Sequence, residues 1–170
     1  MPVLLIQKGF GIAQIGIIAG IYPAVWGLSQ LITGKLGDHY CKKQIITSGM
    51  LIQALAIILM AMAGNMPLLI VASVLLGIGT ALVYPNFLSV IAEWTHPSQR
   101  AESLSIFRLW RDSGYVFGAI LSGILADVMG MSNALFIVAI ITAVSGLIAN
   151  KRMCCSNRIF WKSEVCIPAY

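Results

Sequence analysis

The sequence predicts an all-α integral membrane protein, and three observations lead there. Of the 170 residues, 59% are hydrophobic and only 10% are charged, whereas soluble domains carry about 25% charged residues. Four runs, 9–34, 44–92, 113–126 and 128–150, contain no Asp, Glu, Lys, Arg or His. The connections between hydrophobic segments alternate between basic and uncharged, as loops on opposite sides of a bilayer do. A spanning helix needs about 20 apolar residues at a rise of about 1.5 Å each. The runs therefore accommodate five helices, with 44–92 long enough for two.

The first expected span, 9–36, follows Lys8 and ends at the charged turn 35–43. Gly16 and Gly20 in it form a GxxxG pair, a spacing that lets helix backbones approach closely in lipid. The second and third spans, 44–63 and 67–94, are separated by "AGNMP". The fourth, 101–128, carries Gly114, Gly118, Ser122 and Ala126 at every fourth position, and the fifth covers 132–150. Structural packing is the first reading of these small-residue stripes. Pro23 and Pro85 fall inside spans, where each removes a backbone donor and can kink the helix. A cavity-lining break and a passive kink both fit.

Lys35, Lys42, Lys43, Arg100, Arg108, Arg111, Lys151, Arg152, Arg158 and Lys162 fall on one side of this arrangement, and only Lys8 on the other. The positive-inside rule makes the basic side cytoplasmic, with the N-terminus outside and the C-terminus inside a cell (inner or plasma) membrane. The net charge of +5 does not suggest nucleic acid, because the basic residues are scattered between hydrophobic spans. Residues 1–8 lack the basic n-region of a cleavable signal peptide. Cys41, Cys154, Cys155 and Cys166 form no CxxC pair and sit in or beside basic segments, where reduced thiols are expected. Residues 151–170 change composition abruptly, and both a cytoplasmic tail and an aberrant, frameshifted or read-through end fit them.

The turn "GKLGDHYCKK" at 34–43 packs four charged side chains between apolar spans. It resembles the signature loop of the major facilitator superfamily, Gly-x-Leu-x-Asp-Arg-x-Gly-Arg-Lys. Gly34, Leu36, Asp38, Lys42 and Lys43 match in place or in charge, whereas His39 replaces an arginine and Cys41 a glycine. Gly34 is expected to permit a close helix approach. Asp38 is suited to accept from helix N-terminal amides or a neighbouring cation. Cysteine adopts a left-handed backbone less readily than glycine, so an altered turn is expected at Cys41. "GIYPAVWGLSQLITGKLGD" and "HPSQRAESLSIFRLWRDSGYVFGAILSGILAD" are similar to the eighth helix and the tenth-to-twelfth helix region of bacterial permeases of that family. The resemblance covers about residues 9–150. It implies that residues 1–150 form helices eight to twelve, most of one six-helix half of a major facilitator fold, whose N-terminal half is missing from the chain.

Two groups of candidate site residues follow. Arg108, Arg111 and Asp112 lie in or near the cytoplasmic part of the fourth span. They either snorkel and pair locally or form a cytoplasmic latch with Asp38 and Glu93 that breaks during alternating access, as the resemblance implies. Glu93, His96 and Glu102 are otherwise read as solvated or capping groups, and no acid is expected near the bilayer midplane. Gln14, Tyr22, Trp26, Gln30, Tyr84 and Asn86 are candidate cavity-lining residues. Tyr22 and Trp26, at i and i+4, share a helix face and either stack on a solute or pack in the core.

The function implied is transmembrane transport of a small organic solute, by efflux or import, with the chain inactive as a fragment. Its partners are then membrane lipid, the solute and the missing N-terminal half. No cofactor and no metal is expected. The alternative is a small oligomeric pore or structural membrane subunit, which needs only packing helices. An intramembrane enzyme is disfavoured, because His39 and His96 lie in turns and neither HExxH nor GxSxG occurs.

Overall fold

In the computed structural model, residues 5–153 are described, apart from Gln7 and the side chains of Asp38 and His39. Five long helices follow one another: α1 (Ile12–His39), α2 (Lys42–Met62), α3 (Met66–Trp94), α4 (Arg100–Met129) and α5 (Met131–Arg152). A short 3-10 turn, Pro97–Gln99, leads into α4. All five are long and apolar enough to cross a membrane. The connections are short, so neighbours in sequence run antiparallel and the bundle has a basic end and an opposite end.

α2 is the centre of the bundle. It packs against α3 on one side and α5 on another, while α1 lies along α3. Ile45, Ile46, Thr47, Gly49, Ala54, Ala56, Met60 and Ala61 of α2 are all buried. α4 is the opposite case, with no buried residue; it touches α5 and, more lightly, α3.

The closest helix crossings are not at the expected stripes. A Cβ added at Gly49 would lie 2.9 Å from the Gly79 carbonyl oxygen, and one at Gly79 would lie 2.9 Å from that of Gly49. α2 and α3 therefore cross backbone against backbone. Gly77 plays the same part toward α1, where a Cβ would meet the Tyr22 carbonyl at 2.9 Å. By contrast, Gly16, Gly20, Gly114 and Gly118 have nothing within 4 Å of an added Cβ. Their spacing is that of packing helices, but the faces carrying them have no neighbour at these points among the described residues.

The ends of the bundle are held by polar contacts. At the opposite end, a small core of Leu5, Ile18, Met60, Ala63, Leu69 and Ala72 closes the helices. Lys8 donates there to the carbonyls of Ala61 and Ala63. Carbonyls at a helix C-terminus lack helical partners and attract cations, so Lys8 caps α2. At the other terminus of the fold, Lys151 and Arg152 occupy the last turn of α5, also favourable for the helix dipole. Residues 154–170, including Arg158, Lys162 and the cysteines there, lie outside the described residues. Cys41, expected as a thiol, is disulfide-bonded; a basic flanking sequence does not by itself fix a cysteine's redox state.

Candidate functional site

The signature turn forms where α1 gives way to α2. α1 runs on through His39, and the Tyr40 amide donates to the Leu36 carbonyl at 3.0 Å. Tyr40 (φ −114°, ψ 158°) and Cys41 (φ −60°, ψ 116°) are both extended. The turn is thus made without a left-handed residue, which accommodates cysteine at position 41. Gly34, expected to permit a close approach, is open within 4 Å; the approach is at Gly37 instead. A Cβ there would fall 2.3 Å from Asn86 Oδ1.

Asn86, expected to line a cavity, is therefore buried (2% exposed) against the signature turn. Its Nδ2 donates to the Leu82 carbonyl at 2.7 Å, one residue past the Ala81 carbonyl that Pro85 leaves without its usual donor. Gln14 also departs from the cavity-lining expectation. Its Oε1 accepts from the Gly11 amide at 3.0 Å, which makes it an exposed capping group at the start of α1. Gln30 is half-buried on α1.

The charged residues expected as one latch are divided between two places. At the basic end, Lys42 at the start of α2 pairs with Glu93 near the end of α3. The Lys43 carbonyl accepts from the Thr47 hydroxyl within α2. His96 caps the 3-10 turn, its Nδ1 lying 2.8 Å from Ser98 Oγ. The side chain of Asp38 lies outside those described. Arg108 is exposed on α4. Arg111 and Asp112 lie elsewhere, inside the span.

Arg111 follows Arg100 by eleven residues, Tyr84 precedes Trp94 by ten, and Trp26 precedes His39 by thirteen. At about 1.5 Å per residue, all three sit roughly 15–20 Å in from the basic end of their helices. Arg111 and Asp112 thus lie in the first half of α4, toward the basic end of the fourth span, where they are expected. Arg111 Nε donates to Asp112 Oδ1 at 2.9 Å. Its NH1 donates to the Tyr84 hydroxyl at 2.7 Å, and its guanidinium carbon is 5.1 Å from the Tyr84 ring centroid. Trp26 meets Tyr84 edge-on at 6.3 Å between centroids, and Tyr22 stacks on Trp26 at 6.4 Å.

Three helices thus build one layer: Tyr22 and Trp26 from α1, Tyr84 from α3, Arg111 and Asp112 from α4. Phe87 and Phe107, stacked at 6.0 Å, hold α3 to α4 just beside it. Of the expected cavity residues, the structure brings Tyr22, Trp26 and Tyr84 together with Arg111. Trp26 Nε1 is buried without a hydrogen-bond partner among the described residues. An unmet buried donor costs about 1–3 kcal/mol.

Sequence reasoning missed Gly37, Gly77 and the Gly49–Gly79 crossing, and also the Lys42–Glu93 pair. Gly37 lies inside the quoted turn, so its neighbours there were the available signal. No local pattern marks Gly49, because its partner is thirty residues away in a different helix.

With this geometry in view, comparison with known proteins decides the family. Residues 1–151 match the profile of the Major Facilitator Superfamily. The chain belongs to that family. It is a multi-pass membrane protein of a transporter family rather than an enzyme. A probable hexose phosphate transport protein of Chlamydia muridarum is 26% identical over 90% of this chain and 34% of its own length. The efflux pump terJ of Aspergillus terreus is 30% identical over 99% of this chain and 32% of its own. A crystal structure of the peptide transporter POT with alafosfalin superposes with a TM-score of 0.73 at 24% identity, over 85% of this chain and 31% of that one. This likeness supports the fold. The chain spans about a third of the length of the relatives it matches.

Proposed function

We propose that the chain supplies five helices of the C-terminal half of a secondary transporter, which moves a small organic solute across the cell membrane by alternating access. In this reading its C-terminus is cytoplasmic and its remaining partner is an N-terminal set of helices. One observation carries it. α4 places Arg111 and Asp112 inside the span with side chains 28% and 58% exposed, and no other element of the described chain covers that face. A charged residue at membrane depth costs at least about 2.5–3.5 kcal/mol against lipid, and such residues face protein or water. Secondary transporters bind solute at such depth between two repeats. The basic-end pair Lys42–Glu93, together with Asp38 of the signature turn, acts as the latch that yields as the halves rock.

The test is solute uptake into proteoliposomes. The chain alone is expected to give no flux. Coexpression with the N-terminal half of a relative is expected to restore it. Uptake by the 170 residues alone overturns the fragment reading. The open stripes at Gly16, Gly20, Gly114 and Gly118 also fit a homo-oligomeric pore; a defined homo-oligomer that conducts ions without a partner would establish that reading instead.

A further inference from the structure

We infer that the layer of Tyr22, Trp26, Tyr84 and Arg111 binds an organic anion, a carboxylate or phosphate ester attached to an apolar ring or chain, with Asp112 as the resident anion that the ligand displaces. This inference rests on the transporter reading and specifies its substrate class.

The argument begins with the donors. A guanidinium carries five N–H groups and no acceptor. Arg111 uses Nε toward Asp112 and NH1 toward Tyr84, and its remaining N–H groups meet no acceptor among the described residues. The Tyr84 hydroxyl accepts from Arg111, which leaves its own proton to donate. Trp26 Nε1 can only donate and has no partner. Arg111 and Trp26 thus hold N–H groups that meet no acceptor among the described residues, and an oxyanion supplies several acceptors at once. Guanidinium pairs with carboxylate and phosphate through two parallel hydrogen bonds.

Charge points the same way. The Tyr84 face is already occupied by a cation, so the aromatic layer does not offer a free cation–π site there. Asp112 meets Arg111 from the next position along the helix, where side chains do not ordinarily face one another. It stays substantially exposed, so it is a replaceable partner. The stacked pair Tyr22–Trp26 continues the layer as apolar ring surface on which the rest of the ligand packs. Trp26 Nε1 is shut off from solvent and has no partner among the described residues.

The experiment measures binding of phenyl phosphate, phenylacetate, benzyl alcohol and benzylamine to the full chain in lipid nanodiscs by titration calorimetry. At least one of the two anions is expected to bind about tenfold or more tightly than the alcohol or the amine. The two anion arms distinguish phosphate from carboxylate. R111Q is expected to abolish the preference, and R111K to retain part of it because the charge remains without the planar fork. D112N is expected to tighten anion binding several-fold, since the competing carboxylate is gone. Circular dichroism checks that the variants keep their helices; if R111Q does not, the tightening by D112N decides. Equal binding of all four probes, no anion binding, or an unchanged preference in R111Q overturns the inference. A reconstituted transporter that moves only neutral solutes refutes the anion site and leaves transport intact. Anion binding in an assembled protein that moves nothing does the reverse.

Discussion

α2 and α4 are both membrane-length helices of one chain, but they meet their surroundings in opposite ways. Eight α2 residues are buried and none of α4 is. α2 carries no charge between Lys43 and its end, whereas α4 holds Arg108, Arg111 and Asp112 along its first half. The difference teaches that membrane helices do two jobs here. α2 completes its packing within the chain, through backbone contact at Gly49 and Gly79. α4 is held by α5 and, more lightly, by α3 through Phe107 on Phe87 and Arg111 on Tyr84, and it buries none of its residues.

The sharpest test of this contrast is a pair of glycine substitutions. G79V places a branched side chain against the Gly49 carbonyl and is expected to destabilise the bundle by about 3 kcal/mol or more, read as a lowered midpoint of denaturant unfolding in micelles. G118V on α4 meets open space and is expected to change the same midpoint by less than about 0.5 kcal/mol. In transporter assembled with an N-terminal half, G118V is nonetheless expected to abolish association. If G79V and G118V cost the same in the isolated chain, the contrast between the two helices is broken.

Smaller effects refine it. G37A must displace the buried Asn86 side chain from its bond to Leu82 and is expected to cost about 1–2 kcal/mol, with recovery in the double variant G37A/N86A. Y84F removes the hydroxyl that receives Arg111 NH1 and is expected to cost about 1 kcal/mol. A looser α4 is its readout, as faster amide exchange in α4 with α2 unchanged. K42A, which leaves Glu93 exposed to solvent, is expected to cost no more than about 1 kcal/mol, and to lose even that in high salt.

Much of the fold was legible before any coordinates. Uncharged runs of spanning length set five helices, and "AGNMP" separated α2 from α3, because hydrocarbon excludes charge and needs a set length of helix. The turn at 34–43 carried the family in its residue types. The packing was less legible. The GxxxG pair Gly16–Gly20 and the stripe from Gly114 have the right spacing, but spacing along one helix does not say whether a neighbour faces it. The site was legible in part. Tyr22 and Trp26 share a face by their i, i+4 spacing, and the structure adds Tyr84 to them. Asn86 was drawn away from solvent by the missing side chain at Gly37, a tertiary fact with no trace in its own helix. Arg111 was placed in the cytoplasmic part of the fourth span, and α4 running unbroken from Arg100 agrees with that; its partner Tyr84, on another helix, left no mark in the sequence around it.

Gly130 has a consequence for how α4 and α5 are paired. It is the single residue between α4 and α5, and its φ of 86° suits glycine alone. α4 has the lowest mean hydropathy of the five spans, 1.2 against 2.1 for α5, and it carries Arg108, Arg111 and Asp112 in its first half. An inserting helix with that composition partitions poorly by itself. Joined through so tight a corner, α4 and α5 form a helical hairpin in which the less apolar arm lies beside the more apolar one. Any side chain at position 130 would strain the one corner that sets these two arms side by side.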